Sequence, residues 1–300
     1  MTEPAPGGVT PPRPAAIFVN EGAGSAHSAR VRSTVALTRR MLDADLHVIN
    51  TRDRSELAAF VGERIGVYTT VVMVGGDGSL GVACNAVAGR DVTLGYIPAG
   101  FGNATSHLLN LPRHPAALAG LLAAGEARSV DLVRVDDRLA LFAGAGWDAL
   151  VAGRYAEGGA RRMRGWAGSV VASLPDLARR WVVRLEADGH VVHDGPMILS
   201  VVSVTPYYGR GLLVNPGARP DRGRLTVRAY PGPAPRQAVE ATRWLARRLP
   251  AAAAFDASEA TLTSLDGRPI PVQADGDLIG EASEWRFTLQ PSAVRLIGRW

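Results

Sequence analysis

Lysine is absent from this 300-residue chain: all 33 residues in the Lys+Arg count are arginine. A Walker A loop sets a lysine against its phosphates, so that route to nucleotide binding is closed. Schiff-base chemistry on a lysine amine is closed with it. Cysteine is nearly absent too. Cys84 alone cannot form an internal disulfide and reads as a small core residue, as expected of a cytoplasmic protein. No apolar run approaches the ~20 residues that cross a bilayer. Met1 to Pro14 is rich in Pro and Gly and lacks the apolar stretch of a signal peptide, so it reads as a flexible tail. No internal repeat and no metal-ligand spacing of His and Cys occurs; His107 and His114 read as packing or solvent residues.

The net charge is +5. An arginine excess attracts anionic partners, phosphates or a membrane surface, though genome composition alone produces the same bias. The arginines are scattered and form no nucleic-acid-binding motif, so no nucleic-acid partner is expected. At ~100–200 residues per domain, the length suggests two domains.

Up to about residue 129, strand and helix patterns alternate as in a parallel sheet. Strands are expected at Ala15–Asn20, Leu46–Asn50, Thr69–Gly75 and Thr93–Pro98. Helices are expected at His27–Leu42, Ser55–Ile65, Ser79–Ala88, Asn103–Leu109 and Pro115–Ala124. After Ser129 short strands follow one another: Val130–Val135, Leu139–Ala145, Trp181–Ala187, His190–His193, Met197–Val204, Leu212–Val214 and Leu225–Tyr230. Asp188-Gly189 marks a hairpin, and helical stretches interrupt at Trp147–Trp181, continuous or broken, and at Pro235–Arg248. Trp285–Leu289 and Val294–Ile297 are two last strands. The expected architecture is a tail (1–14), an α/β domain (15–129) to which 283–300 returns, and a mostly antiparallel β-sandwich (130–282), with the active site in the cleft between domains.

Three strand ends carry glycine-rich or polar turns: Asn20-Glu21-Gly22-Ala23-Gly24-Ser25, Gly75-Gly76-Asp77-Gly78-Ser79 and Pro98-Ala99-Gly100-Phe101-Gly102-Asn103. In open α/β sheets, ligands bind at the carboxyl ends of strands. Glycine lets the backbone approach a phosphate, and the helix N-terminus beyond it turns N–H groups toward the anion. An acid within such a loop suits a metal that travels with the phosphates. The plainer reading is a tight strand-to-helix turn with a capping Asp77.

Four segments in order resemble the diacylglycerol kinase catalytic-domain family, which includes bacterial lipid kinases, sphingosine kinases and ceramide kinases. Gly75-Gly76-Asp77-Gly78-Ser79 with Asn85 is similar to its GGDGT…N signature, and Pro98–Asn103 to its PxGTxN motif. Asn215-Pro216-Gly217-Ala218 with Asp221-Arg222-Gly223-Arg224-Leu225 is similar to its second-domain metal and turn segment, and Gln273-Ala274-Asp275-Gly276-Asp277 to its DGE motif. GGDG alone also occurs in NAD kinases and phosphofructokinases; the four together are far more specific. The resemblance spans about Ala16 to Ile297. It implies an N-terminal domain carrying ATP, a β-sandwich domain, and an active site between them.

On this resemblance, Gly75, Gly76, Asp77, Gly78, Ser79, Gly100, Gly102 and Asn103 bind nucleotide phosphates, with Asn20 and Thr51 helping to hold the nucleotide. Asp77 engages Mg²⁺, Asp275 is the general base, and Asp277 stands in for its Glu partner. The implied reaction moves the γ-phosphate of ATP to a hydroxyl of diacylglycerol or a sphingoid-type lipid, at transient peripheral membrane contact. A homodimer is left open. Two alternatives remain: a kinase for a soluble substrate such as NAD, and a degenerate member that binds nucleotide or lipid without turnover.

Departures from the pattern matter. Glu21 replaces the Pro that follows Asn20 in the family. Phe101 replaces a hydroxyl residue, and Ala104 replaces the Asp that many bacterial diacylglycerol kinases carry, although sphingosine and ceramide kinases share this GNA pattern. Arg222 and Thr226 stand where metal-binding members have Asp, so a structural metal is not expected there. Asp148, in Gly144-Ala145-Gly146-Trp147-Asp148, reads as a helix cap or a lipid contact. Arg161-Arg162-Met163-Arg164-Gly165-Trp166 reads as a solvated face or a lipid-facing one.

Overall fold

The computed structural model describes residues 14–157, 165–209, 211–232, 234–246 and 248–300. In its first part strand and helix alternate: β1 (Ala15–Asn20), α1 (Ala29–Leu42), β2 (Asp45–Ile49), α2 (Arg54–Arg64), β3 (Thr70–Gly75), α3 (Asp77–Val87), β4 (Thr93–Pro98), α4 (Ala104–Leu108) and α5 (Pro115–Ala124). The strands pair in parallel in the order β2-β1-β3-β4. Successive side chains of a strand point to opposite faces, and both faces are covered here. Ala16, Phe18 and Met73 pack with Leu57, Val61, Leu80 and Val87 from α2 and α3. Ile17, Val19, Val72 and Val74 pack with Val31, Leu118 and Leu122 from α1 and α5. This double burial is why the strands read as unbroken apolar runs. Helix starts follow their caps: Ser28 accepts the Val31 N–H at 3.3 Å, and Asp53 the Glu56 N–H at 2.9 Å.

The second part is mostly antiparallel: β5 (Ala127–Val135), β6 (Arg138–Ala140), β7 (Phe142–Gly146), α6 (Trp147–Glu157), α7 (Gly165–Ala172), β8 (Trp181–Ala187), β9 (His190–Ser203), β10 (Tyr207–Tyr208), β11 (Leu212–Leu213), β12 (Leu225–Pro231), α8 (Ala234–Leu245), β13 (Ala254–Ala257), β14 (Glu259–Ser264), β15 (Ile270–Ala274), β16 (Asp277–Ala282) and β17 (Glu284–Ile297). The molecule thus joins an N-terminal α/β domain to a C-terminal β domain.

The layers are not separate sheets. One hydrogen-bonded path, β16-β15-β7-β9-β8-β14-β17-β4-β3-β1-β2, runs through both domains. Two 14-residue strands make this continuity. The first half of β9 pairs with β8, and its second half lies between β7 and β12. β17 pairs with β14 and β5, shifts register between Gln290 and Val294, then runs parallel to β4 at Arg295 and Leu296. A bulge is the ordinary way for a strand to turn such a corner. The two short strands expected at Trp285–Leu289 and Val294–Ile297 are therefore one bent strand. His190–His193 and Met197–Val204 likewise merge into β9.

Other expectations shift locally. Asp188 and Gly189 have φ of 46° and 78°, the backbone of a type I′ hairpin turn. The helical stretch expected to end at Trp181 stops earlier. A short 3₁₀ turn over Leu174–Ala178 carries Pro175, and Trp181 opens β8. Leu139–Ala145 is not one strand but β6 and β7. Between them the Leu141 N–H is diverted to the carboxylate of Asp275, at 3.0 Å. β13, β14 and β16 were not visible in the sequence. Their alternation is short and dominated by Ala, Thr and Gly. Among the described residues no helix is long and apolar enough to cross a membrane.

Candidate active site

The three glycine-rich turns meet at the carboxyl edge of the parallel sheet. Ala99 and Gly100 both donate their N–H to the Gly75 carbonyl, at 2.7 and 3.1 Å. A Cβ on Gly100 would overlap the Cα of Gly76, so the two loops touch backbone to backbone. Asn103 adopts left-handed backbone, φ 51°. Its side chain closes its own loop, accepting the Gly100 N–H at 2.9 Å and donating to the Gly100 carbonyl at 2.7 Å. The buried Tyr96 hydroxyl donates to Asn103 Oδ1 at 3.0 Å, fixing the amide's orientation.

Asn20 performs the same service for the first loop. Its Oδ1 accepts the N–H groups of Gly22 (3.0 Å) and Thr51 (3.3 Å), and its Nδ2 reaches Ser79 Oγ at 3.4 Å. Thr51 Oγ1 accepts the Asp53 N–H at 3.0 Å and donates to Glu56. The structure thus brings Asn20, Thr51, Gly75, Gly76, Ser79, Gly100 and Asn103 to one rim. Glu21 donates its N–H to the Ile49 carbonyl at 2.8 Å, so the turn closes without the family's proline.

Asp77 opens α3, and its carboxylate points across to α4. Oδ2 accepts the Ala104 N–H at 2.9 Å; Oδ1 accepts the Thr105 N–H and hydroxyl, each at 3.0 Å. Desolvation raises its pKa, against the lowering effect of the Thr105 and Ala104 N–H groups. Asp77 therefore ties the Gly75–Ser79 loop to the Gly100–Asn103 loop. Ala104 meets it through its backbone, which needs no carboxyl group. Gly102 lies against Asp77 as well, where a Cβ would stand 3.3 Å from Oδ2.

The acids from the far end of the chain also arrive on α3. Asp275 and Gly276 have φ of 49° and 92°, a two-residue I′ turn joining β15 to β16. The turn sits on a stripe of small residues along α3. A Cβ on Gly81 would lie 3.3 Å from Asp275 Oδ2, and one on Gly78 would lie 3.2 Å from Asp277 Oδ2. Residues three apart share a helix face, so Gly78 and Gly81 together admit both carboxylates. Asn85 extends the stripe, exchanging hydrogen bonds with Leu139 of β6 at 2.7 and 2.9 Å.

Asp275 is buried and accepts the N–H groups of Leu141 (3.0 Å) and Phe142 (3.2 Å) in the gap between β6 and β7. Its pKa is pushed up to about 8, first by desolvation and further by the negative Asp77; the Phe142 N–H and the Arg54 cation oppose the rise. Cys84, buried in α3, has its thiol pushed up by desolvation and by Asp275, and it is inert core. Asp277 pairs with Arg54 Nη1 at 2.7 Å, and that same nitrogen donates to the Gly78 carbonyl at 3.3 Å.

Arg54 was not singled out in the sequence. It is one arginine among 33 and opens a helix with no motif around it. Thr105, Gln273 and Tyr208 were likewise missed as site neighbours; Gly144, Gln273 and Tyr208 cluster with Asp148 beside the Asp275 turn. At Asp148, Tyr208 and Gln273 both donate to Oδ2. Asn215 is fully buried, accepting from Arg228 Nε at 2.8 Å and donating to Ser203 Oγ at 2.8 Å. Arg222 forms an ion pair with Asp256 at 3.0 Å, and Thr226 donates to the same carboxylate at 3.4 Å. His107 packs on Tyr207, and His114 precedes α5. Arg161–Arg164 lie outside the described residues. Phe101 is 37% exposed on the rim.

Similarity to known proteins bears on this arrangement. The diacylglycerol kinase catalytic domain family model matches residues 14–135. A diacylglycerol kinase of Mycobacterium tuberculosis is 31% identical over 218 residues, covering 68% of this chain and 69% of that one. A Serratia proteamaculans protein named "Probable lipid kinase YegS-like" is 34% identical over 136 residues, 43% of each chain. In fold, the crystal structure of a diacylglycerol kinase from Bacillus anthracis superposes with a TM-score of 0.74 at 20% identity, over 97% of this chain and 99% of that one. Fold and sequence together define a kinase that acts on lipids. The chain belongs to the diacylglycerol kinase catalytic-domain family.

Proposed function

We propose that this lipid kinase transfers the γ-phosphoryl group of ATP, with Mg²⁺, to a hydroxyl of diacylglycerol or a sphingoid-type lipid, and that Asp275 is the general base. Residues 15–129 form the nucleotide domain and 130–282 the lipid domain, with 283–300 returning to the first. One observation carries the reading. The Asp275 turn, from one domain, sits on the glycine stripe of the helix whose first turn is the Gly75–Ser79 loop of the other.

The residues suit each group. Backbone contact between Gly76 and Gly100 leaves a rim without side-chain bulk, and the first N–H groups of a helix have no partner within it. Asn20, Thr51, Gly75, Gly76, Gly78, Ser79, Gly100, Gly102 and Asn103 would hold the nucleotide. Mg²⁺ takes one or two carboxylates plus phosphate and water rather than a protein cage. No cluster of three or more His, Cys, Asp or Glu able to hold a metal occurs among the described residues. Asp77, the acid of the glycine loop, would meet an ion that arrives with ATP; that ion would neutralise phosphate charge.

In the reaction Asp275 takes the proton of the lipid hydroxyl as that oxygen forms a bond to the γ-phosphorus, and the bond from phosphorus to the ADP oxygen breaks. Most of the work is positioning and charge stabilisation. The test is transfer from labelled ATP to diacylglycerol, sphingosine and ceramide in mixed micelles, with NAD as a soluble comparison. A labelled lipid is expected; label on NAD alone would overturn the reading. Peripheral membrane contact predicts flotation with anionic liposomes at low salt, and no flotation would sink that part.

Arg54 gives a second test. The Arg54–Asp277 pair is partly solvated, with side chains 24% and 40% exposed, so its loss costs only ~0–1 kcal/mol of stability. Its cation also lowers the pKa of Asp275. Arg54→Met is therefore expected to leave the melting temperature nearly unchanged and to move the rising limb of the kcat/KM profile to higher pH. A profile that stays in place would separate Arg54 from the base.

A further inference from the structure

Three side chains beside the Asp275 turn have no part in the mechanism above. Gln273 comes from β15, Tyr208 from β10 and Asp148 from the first turn of α6. Gln273 is 2% exposed. Its Nε2 donates to Asp148 Oδ2 at 3.2 Å and to the Tyr208 hydroxyl, which itself donates to Asp148 Oδ2. Its Oε1 accepts the N–H of Gly276, the second residue of the turn, at 2.7 Å.

A primary amide has a donor end and an acceptor end. A carboxylate can only accept, and a backbone N–H can only donate. Gln273 lies between one of each and has a single workable orientation, set by Asp148. Desolvation pushes the Asp148 carboxyl up to about 6, against the Tyr208 and Gln273 hydrogen bonds, so it is still the acceptor at neutral pH. Room for the cluster comes from Gly144, opposite Gln273 in register; a Cβ there would overlap both the Asp148 carboxylate and the Tyr208 hydroxyl.

Tyr208 also leads back to the other domain. Adjacent residues of a strand face opposite ways. Tyr207 packs on His107 of α4, ring centroids 5.7 Å apart, and the Gly209 carbonyl lies 3.4 Å from where a Cβ on Gly102 would be. Tyr208 packs on Phe142 with centroids 4.4 Å apart, next to the N–H that Asp275 accepts. One two-residue strand thus touches the loop held by Asp77 and the turn that carries Asp275.

We propose that Gln273 is a positioning residue for Asp275, oriented by Tyr208 and Asp148, and that the Tyr207-Tyr208 strand ties this orientation to the Gly102–His107 loop. The inference rests on the reading of Asp275 as the base. The Asp275 N–H donates to the Phe142 carbonyl at 3.1 Å, and the Gly276 N–H, the other half of the turn, donates to Gln273; freeing the second lets the turn, held at φ +49° on Asp275, pivot and the carboxylate shift against the hydroxyl it must reach.

The experiment compares Gln273→Met, which keeps length and bulk but loses both amide ends, with Tyr208→Phe, which keeps the ring and loses the hydroxyl. For Gln273→Met, kcat for lipid phosphorylation is expected to fall about 30-fold, within the ~10²-fold that a 1 Å misplacement can cost. Tyr208→Phe should lose about 5-fold, and the double variant no more than Gln273→Met alone, because both act through one amide. KM for ATP and for lipid should stay within about twofold, while Gln273→Met, which leaves the Gly276 N–H without its partner, should melt a few degrees lower. Unchanged kcat in both variants overturns the proposal. So does a loss matched by a rise in the KM for ATP, which would make the cluster a fold contact only. If Gln273→Met does not fold, Tyr208→Phe decides alone. Asp275→Asn at wild-type rate would sink the base reading and this inference together; Asp275→Asn inactive beside fully active Gln273 and Tyr208 variants sinks only this one.

Discussion

Asp275→Asn is expected to abolish lipid phosphorylation to within about 10²–10⁴-fold of wild type, the usual contribution of a positioned acid–base group, while ATP still binds. The substitution is gentle on the fold. Asparagine tolerates the left-handed backbone of the turn, and its Oδ1 can still accept from Leu141 and Phe142. What it removes is the proposed proton acceptor.

The same variant should be more stable than wild type at high pH. The folded-state pKa of Asp275, about 8, lies above its unfolded value. Between roughly pH 4 and pH 8 the folded chain holds a proton that the unfolded chain has released, so the contribution of Asp275 to wild-type stability is full below pH 4 and declines across that window. Asparagine has no such decline. Melting curves for the two proteins should therefore coincide near pH 4 and separate as pH rises, with the variant melting several degrees higher at pH 8. Curves that run parallel across that range would show that Asp275 is not desolvated in the folded state. For wild type, kcat/KM for lipid should climb as pH approaches 8, since only the ionised carboxylate accepts a proton.

Gly100→Ala is expected to have the second large effect. The new Cβ would overlap the Gly76 Cα, which is backbone and cannot rotate away. The two nucleotide loops must then separate, breaking the paired N–H contacts to the Gly75 carbonyl. Overpacking of this kind costs ~1–3 kcal/mol, so melting should drop by several degrees. ATP affinity should fall by at least about tenfold as the rim loses its shape. Gly120→Ala is the matched control: it lies within α5, meets nothing within 4 Å, and should stabilise by ~0.5–1 kcal/mol. ATP binding by calorimetry decides; wild-type affinity in Gly100→Ala would remove these glycines from the nucleotide site.

Much of this molecule was legible before its coordinates. Ala15–Asn20, Thr93–Pro98, Pro115–Ala124 and Trp181–Ala187 fall where their patterns end, because burial on both faces, a proline at the start of a helix and a following glycine are local signals. The I′ turn at Asp188-Gly189 was readable for the same reason: few residues besides Asp, Asn and Gly accept positive φ. Legibility failed where the neighbour is distant. Leu139–Ala145 reads as one strand because nothing local reveals that Asp275 takes the Leu141 N–H, 134 positions away.

The sequence by itself determined the parallel sheet and the glycine loops at its edge, since these depend on residue type and short spacing. Only the tertiary structure decided which groups face one another. Arg54 meets Asp277 across 223 positions, and Asp148 meets Gln273 across 125. It also decided that Asp275 is desolvated while Asp277 is paired with a cation at the surface. Periodicity specifies which face of an element is buried, but the pKa of a carboxylate depends on what covers it and which charges lie near it, and those come from elements far apart in the chain.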